Sequence, residues 1–166
     1  MIVELNISNF AIIDDLKINF TKGFNVLTGE TGAGKSIIVE GINMILGERA
    51  NRDLISTGME KSTLEGLFYL EDPIRINKLL KEFGIDVDPN NYLLISREIF
   101  ANGRSVSRVN GRNVTLTMLN SITSNLVDVH GQHEHQSLLN QENHIKLIDT
   151  FGGDELKVLL KYTRDK

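Results

Sequence analysis

The start of the chain alternates apolar and polar positions with a period of two. Val3, Leu5 and Ile7 interleave with Glu4, Asn6 and Ser8, and Leu16, Ile18 and Phe20 with Lys17, Asn19 and Thr21. This is the pattern of two strands with one face on a core. Residues 24–28 predict a third short strand that runs into Gly29. From 37 to 46 the pattern changes: Glu40 and Asn43 form a narrow polar stripe in an otherwise apolar stretch, which predicts a largely buried helix with Gly47 as its stop. Residues 64–70 read as a strand, 73–83 as a short helix and 92–101 as a strand. Asn102-Gly103 and Asn110-Gly111 mark two tight turns whose central residues both need positive φ, and together they predict a three-stranded antiparallel meander. Residues 115–125 predict a helix, 126–130 a buried strand, and 141–150 a helix that ends before Gly152-Gly153. After that break, Leu156, Leu159 or Leu160, and Thr163 stand at spacings that open a coiled coil.

Composition narrows the class. The 166 residues hold 18 Lys+Arg against 22 Asp+Glu, a net charge of −4, and 40% are apolar. Such a chain is too hydrophobic and too weakly charged to stay disordered, and it is long enough to bury a core. With no Cys it has no disulfide scaffold and no Cys-ligated metal centre. No apolar run approaches the roughly 18 residues of a membrane span. The opening Met-Ile-Val-Glu-Leu lacks the basic and apolar regions of a signal peptide, so the expectation is a cytoplasmic protein with no membrane partner. The mildly acidic balance excludes a wholly basic surface and leaves room for a local nucleic-acid patch.

The strongest chemical signal is Gly29-Glu30-Thr31-Gly32-Ala33-Gly34-Lys35-Ser36, a complete G-x-x-x-x-G-K-[ST] phosphate loop between a predicted strand and a predicted helix. Its glycines let successive backbone N–H groups turn toward one anion, and the helix N-terminus adds about half a positive charge behind them. Lys35 is placed to reach the β and γ phosphates of a nucleotide, and the Ser36 hydroxyl to coordinate Mg²⁺. Ile37, the next residue, completes the nucleotide-binding run. Small nucleotide kinases and GTPases carry this loop on their first strand, whereas two predicted strands of antiparallel type precede it here. A guanine reader of the Asn-Lys-x-Asp type is also missing, because Asn77-Lys78 is followed by Leu79-Leu80.

Four segments together carry a family resemblance: Leu5-Asn6-Ile7-Ser8-Asn9-Phe10-Ala11-Ile12-Ile13-Asp14, the loop from Thr28 to Ser36, Leu46-Gly47-Glu48-Arg49-Ala50, and Asp128-Val129-His130-Gly131-Gln132-His133-Glu134-His135-Gln136. The chain resembles, over essentially its whole length, the N-terminal part of the RecN family of bacterial DNA-repair proteins, SMC-like members of the ABC ATPase superfamily. The resemblance implies an α/β fold of the P-loop NTPase class: the N-terminal half of an ABC/SMC-type head, with a mixed sheet and an antiparallel β subdomain. It implies that residues 1–151 form that half-head, and that 152–166 are a linker and the start of a coiled-coil helix. It further implies that Gln132 is the Q-loop glutamine, catalytic beside Lys35 and touching Mg²⁺ beside Ser36. A neutral amide both donates and accepts hydrogen bonds, which suits that place. By the same resemblance Asn9 and Phe10 lie near the base and ribose of ATP, although a strand-end Asn-Phe also reads as a turn residue beside a core aromatic.

No strand ending in Asp-Glu and no Ser-Gly-Gly signature occurs in this sequence. In the family the head is split by a long coiled coil, with those groups in its C-terminal half. The implied partners are therefore the C-terminal half of the same head, a second copy through an ATP-sandwiched head dimer, and double-stranded DNA and its ends. The implied activity is ATP hydrolysis by the full-length protein in double-strand-break repair and recombination, near the nucleoid, with this part alone inactive or nearly so. Two alternatives stand beside it: a small phosphotransferase such as a nucleotide or metabolite kinase, and a non-catalytic DNA-binding scaffold. Arg49 and Arg52 read as nucleotide or DNA contacts or as solvated surface arginines. Arg97, Arg104, Arg108 and Arg112 read as a phosphate-contact strip or as charges that protect sheet edges. His130, His133 and His135 raise a metal site, but they lack a fourth ligand apart from Glu134 and the Q-loop role accounts for their segment.

Overall fold

The computed structural model describes residues 1–29, 34–124 and 126–127. The chain separates into two compact units, Met1–Val127 and Asp128–Lys166, and the described residues belong to the first. The expected boundary at residue 151, the helix over 141–150 and the coiled-coil start lie outside the described residues.

One six-stranded sheet organises the first unit. Its strands are β1 (Ile2–Phe10), β2 (Ile13–Asn19), β3 (Lys61–Tyr69), β4 (Tyr92–Phe100), β5 (Ser105–Val109) and β6 (Arg112–Val114), in the order β2-β1-β3-β4-β5-β6. Every pairing among them is antiparallel. The expected antiparallel β subdomain is thus present, and no parallel pairing occurs among the described residues.

The period of two sorts the sheet into a dry face and a wet one. Opposed pairs such as Ile7–Leu64, Phe68–Leu93 and Ile95–Val109 point the same way. All six of these residues are buried. The opposite face carries Glu4, Lys17, Thr63, Glu65, Ser96, Glu98 and Arg108, which fits the one-sided burial of antiparallel sheets. Three helices belong with the dry face: α1 (Lys35–Leu46), α2 (Ile74–Glu82) and α3 (Leu116–Thr123). Each contributes buried apolar side chains to one core, Met44 and Ile45 from α1, Ile76 and Leu80 from α2, Leu119 and Ile122 from α3.

The local chemistry explains the element ends. α1 stops where Gly47 turns left-handed at φ 110°, its N–H donating back to Asn43 and Met44. A β carbon on Gly47 would also overlap the side-chain oxygen of Asn120, so only glycine fits. α3 starts at Thr115, whose hydroxyl accepts from the Met118 N–H at 3.2 Å. The meander forms as expected, but its two turns differ. Asn110 and Gly111 both have positive φ, 47° and 79°, whereas in the first turn only Gly103 does, at 83°. There Gly103 N–H donates to the Phe100 carbonyl and the Asn102 side chain accepts from Arg104 N–H, giving a longer hairpin closed by an asparagine rather than the expected two-residue turn.

One expected strand is absent: residues 24–28 form no strand. Phe24 is 92% exposed and Val26 63%. Asn25 instead ties the segment to itself, accepting from Thr21 N–H and donating to the carbonyls of Thr21 and Gly23. An apolar run of this kind suits a strand covered on both faces. Among the described residues no strand pairs with it. Leu126 and Val127 pack on the core without forming a strand, and the rest of the expected 126–130 strand lies outside the described residues.

Candidate phosphate-binding site

The described ends of the Gly29–Ser36 loop are brought together by the start of α1. Gly34 caps the helix in the left-handed conformation at φ 89°, and its carbonyl accepts from Ile38 N–H at 3.0 Å. Lys35 turns its ammonium back onto the carbonyl of Gly29, so the positive head lies at the beginning of the loop it follows. Ser36 is exposed on the first turn. α1 has no side-chain cap and no acidic residue in that turn, so its first N–H groups and the positive end of its dipole lie beside the Lys35 ammonium. Glu30, Thr31, Gly32 and Ala33 lie outside the described residues, as do Gln132 and the histidines at 130, 133 and 135. Among the described residues no cluster of His, Cys, Asp and Glu could hold a metal ion.

The β1–β2 turn stands beside this loop, with Asn9 a turn residue beside a core aromatic. The Phe10 side chain is 0% exposed, a core aromatic with no surface to offer a base or ribose. The turn is held by backbone: Asn9 and Ala11 both take φ 54°, a conformation few residues other than glycine adopt. It is pinned by Ala11 N–H to Leu54 O at 2.6 Å, Ser56 N–H to Asn9 O at 3.1 Å and the Ser56 hydroxyl to Ala11 O at 3.0 Å. Ile12, 69% exposed, reaches the end of the loop, its terminal methyl 3.8 Å from where a side chain on Gly34 would begin. Nothing in the period-two pattern distinguished Ile12 from Phe10; the two left-handed residues rotate the chain so that Phe10 goes in and Ile12 out.

The four arginines of the meander do not form a strip. Arg97 is buried at 2% exposure, donating to the carbonyl of Met44 at 2.5 Å, to that of Glu48, and to the Ser105 hydroxyl at 3.3 Å. Arg112 donates to the carbonyl of Gly84, and Arg104 stacks over Phe100 at 4.7 Å. Arg108 is paired with Glu98 at 2.6 Å, and Lys61 holds the same carboxylate. The signal for Arg97 was in the sequence: it occupies an inward register with Leu93, Ile95 and Ile99, where an alternating strand places its core side chains. Arg49 and Arg52 are exposed, in keeping with solvated surface arginines.

Hydrogen bonds from Lys61, then from Arg108, hold the Glu98 carboxyl below its usual range. A depressed carboxyl stabilises the fold fully above the unfolded value of about 4.3 and loses that contribution as pH falls through the folded value. Glu98→Gln is therefore expected to lower the urea midpoint at pH 7. The gap from the parent should close as the titration is repeated toward pH 2.5, and a gap constant with pH would contradict the assignment.

Comparison with known proteins places this geometry. An AAA domain family model matches residues 4–166. The DNA repair protein RecN of Bacillus subtilis is 45% identical over 161 residues, which is 97% of this chain and 28% of that protein. RecN of Vibrio cholerae is 34% identical over 164 residues, 99% of this chain and 29% of that protein. The chain thus spans little more than a quarter of the length of these relatives. Among solved structures, one from work on ATP-driven dimerisation and DNA-stimulated activation of SMC ATPases superposes with a TM-score of 0.61 at 27% identity, covering 74% of this chain and 77% of that one. The recombination mediator RecF shares the fold at 20% identity and a TM-score of 0.55, over 72% of this chain and 29% of that one. The chain therefore belongs to the AAA domain family, with the head fold of SMC-type ATPases and the RecN DNA-repair proteins among its sequence relatives.

Proposed function

We propose that this chain is the ATP-binding part of an SMC-like ATPase that acts in repair of DNA double-strand breaks. The observation that carries the proposal is the start of α1: Lys35 folded over the Gly29 carbonyl and Ser36 exposed on the first turn of the helix. That donor set fits a magnesium-bound triphosphate, with backbone N–H groups and one ammonium for phosphate oxygens and one hydroxyl for the metal. Bound Mg²⁺ would neutralise charge developing on the phosphates. Lys35 would hold the β and γ phosphates, Ser36 would orient the metal, and Gln132 would serve the metal and water side by its resemblance to a Q-loop. Asn9 keeps a part in the base and ribose contact through its backbone, and Phe10 supports that turn from the core.

In the full-length protein two such heads would close on ATP, and hydrolysis would open them, coupled to binding of double-stranded DNA ends. Similarity to RecN and to SMC ATPases supports this reading. A cytoplasmic, nucleoid-associated location follows from the same reading. Calorimetric titration of the chain with MgATP and MgGTP tests it. Binding of MgATP that weakens on chelation of Mg²⁺ is expected. Binding of neither nucleotide, or phosphorylation of a small acceptor, would contradict it.

A further inference from the structure

Among the described residues the largest buried side chain is a cation whose hydrogen bonds go to no carboxylate, the charge of Glu48 acting on it without a direct bond. Arg97 is 2% exposed, and its hydrogen bonds go to two backbone carbonyls and a serine hydroxyl. Taking a guanidinium out of water is expensive unless its donors are matched. Here the matching groups are the carbonyls of Met44, which also accepts from the Gly47 N–H, and of Glu48, at and just beyond the C-terminal end of α1, where the helix dipole is negative. The energetically satisfactory position for Arg97 is therefore also a fixed position for the end of α1. Thr123 of α3 adds a second hold, its hydroxyl donating to the Leu46 carbonyl at 2.5 Å.

The other end of α1 is the phosphate-binding end. The buried residues of the helix, Gly41, Met44 and Ile45, all lie in its C-terminal half, whereas Ser36 and Val39 are exposed. Twelve residues make a rod of about 18 Å, stiff enough to carry a displacement of one end to the other. We infer that Arg97 is a positioning residue of the phosphate loop, fixing Lys35 and Ser36 by anchoring the far end of α1 to strand β4. The inference rests on the nucleotide-binding reading of that loop and deepens it.

The test compares Arg97→Met and Arg97→Lys with the parent 166-residue chain by two readouts. The first is amide hydrogen exchange without nucleotide at Ile38, whose N–H donates to Gly34, relative to Leu64 in β3, which reports on the core as a whole. The second is the affinity for MgATP. Arg97→Met is expected to raise Ile38 exchange relative to Leu64 about tenfold and to weaken MgATP about tenfold, the scale of one lost charge-assisted hydrogen bond. Arg97→Lys, which keeps the charge, is expected to recover part of both. Equal acceleration at Ile38 and Leu64 would mean a merely structural role and overturn the inference, as would changes confined to residues 43–48. If Arg97→Met does not fold, Arg97→Lys decides: parental exchange and affinity in that variant overturn the inference. If the parent binds no MgATP, the nucleotide reading fails, and the exchange at Ile38 alone still decides whether Arg97 positions the start of α1.

Discussion

Replacing Lys35 with alanine is expected to weaken MgATP binding by about a hundredfold or more while leaving the fold intact. The ammonium is the one side-chain cation of the loop motif, and contacts of a cation with phosphate oxygens are worth about 3 kcal/mol together, which converts to that factor. Lys35 sits at the start of α1 outside the apolar core, and its ammonium donates to the carbonyl of Gly29, a group close to solvent. The melting temperature should therefore shift by no more than about 3 °C, as for other surface changes. Calorimetry and thermal melting on the same samples check both halves. A variant that binds MgATP as the parent does would remove the loop from nucleotide binding and leave the scaffold reading of this chain in force.

The largest effect on stability is expected from Phe68→Ala. Phe68 is 0% exposed on β3, opposed by Leu93 on β4 and by Ile2 on β1, and its ring lies over Gly66, where a β carbon would come within 2.9 Å of it. No side chain at Gly66 can move in to fill the space, so the cavity should persist. Truncations of this kind cost about 3–5 kcal/mol. For a unit of this size that corresponds to a fall in melting temperature of about 10–20 °C. Differential scanning calorimetry measures it, and a fall of less than about 4 °C would show that the core repacks around the site.

The two kinds of residue in these predictions were not equally legible in the sequence. The period-two runs gave the strands of the sheet and the sense of each face, because an antiparallel sheet with one wet side leaves that signature. The helices near 37–46, 73–83 and 115–125 appear as α1, α2 and α3 with ends shifted by a residue or two. The phosphate loop was legible as a motif because its chemistry demands particular residues at fixed spacing. The strand at 24–28 was not, since an apolar run states a wish for burial on both faces and not whether strands are there to provide it. The first hairpin misled for a related reason: Asn102-Gly103 suits two kinds of turn, and the sheet's pairing decides between them.

Arg97 shows the opposite error. Its charge drew attention to nucleic acid, while its register, in line with Leu93, Ile95 and Ile99, already assigned it to the core. For Phe10 the sequence left two readings open, because the left-handed residues Asn9 and Ala11 that flank it, and that turn its side chain into the core, leave no mark in the period-two pattern. Gln132 and the histidines around it lie outside the described residues, so their roles rest on resemblance.

The central claim is that this chain supplies the nucleotide-binding part of a head whose hydrolytic groups reside elsewhere in the full-length protein. Its most direct test is the steady-state rate of phosphate release from MgATP, measured for the 166-residue chain alone and for the same chain joined by a short linker to the C-terminal part of its Bacillus subtilis relative RecN. The account predicts negligible turnover by the chain alone, turnover by the joined protein, and its loss on Lys35→Ala. Brisk hydrolysis by the chain alone, or a joined protein whose rate is indifferent to Lys35, would contradict it.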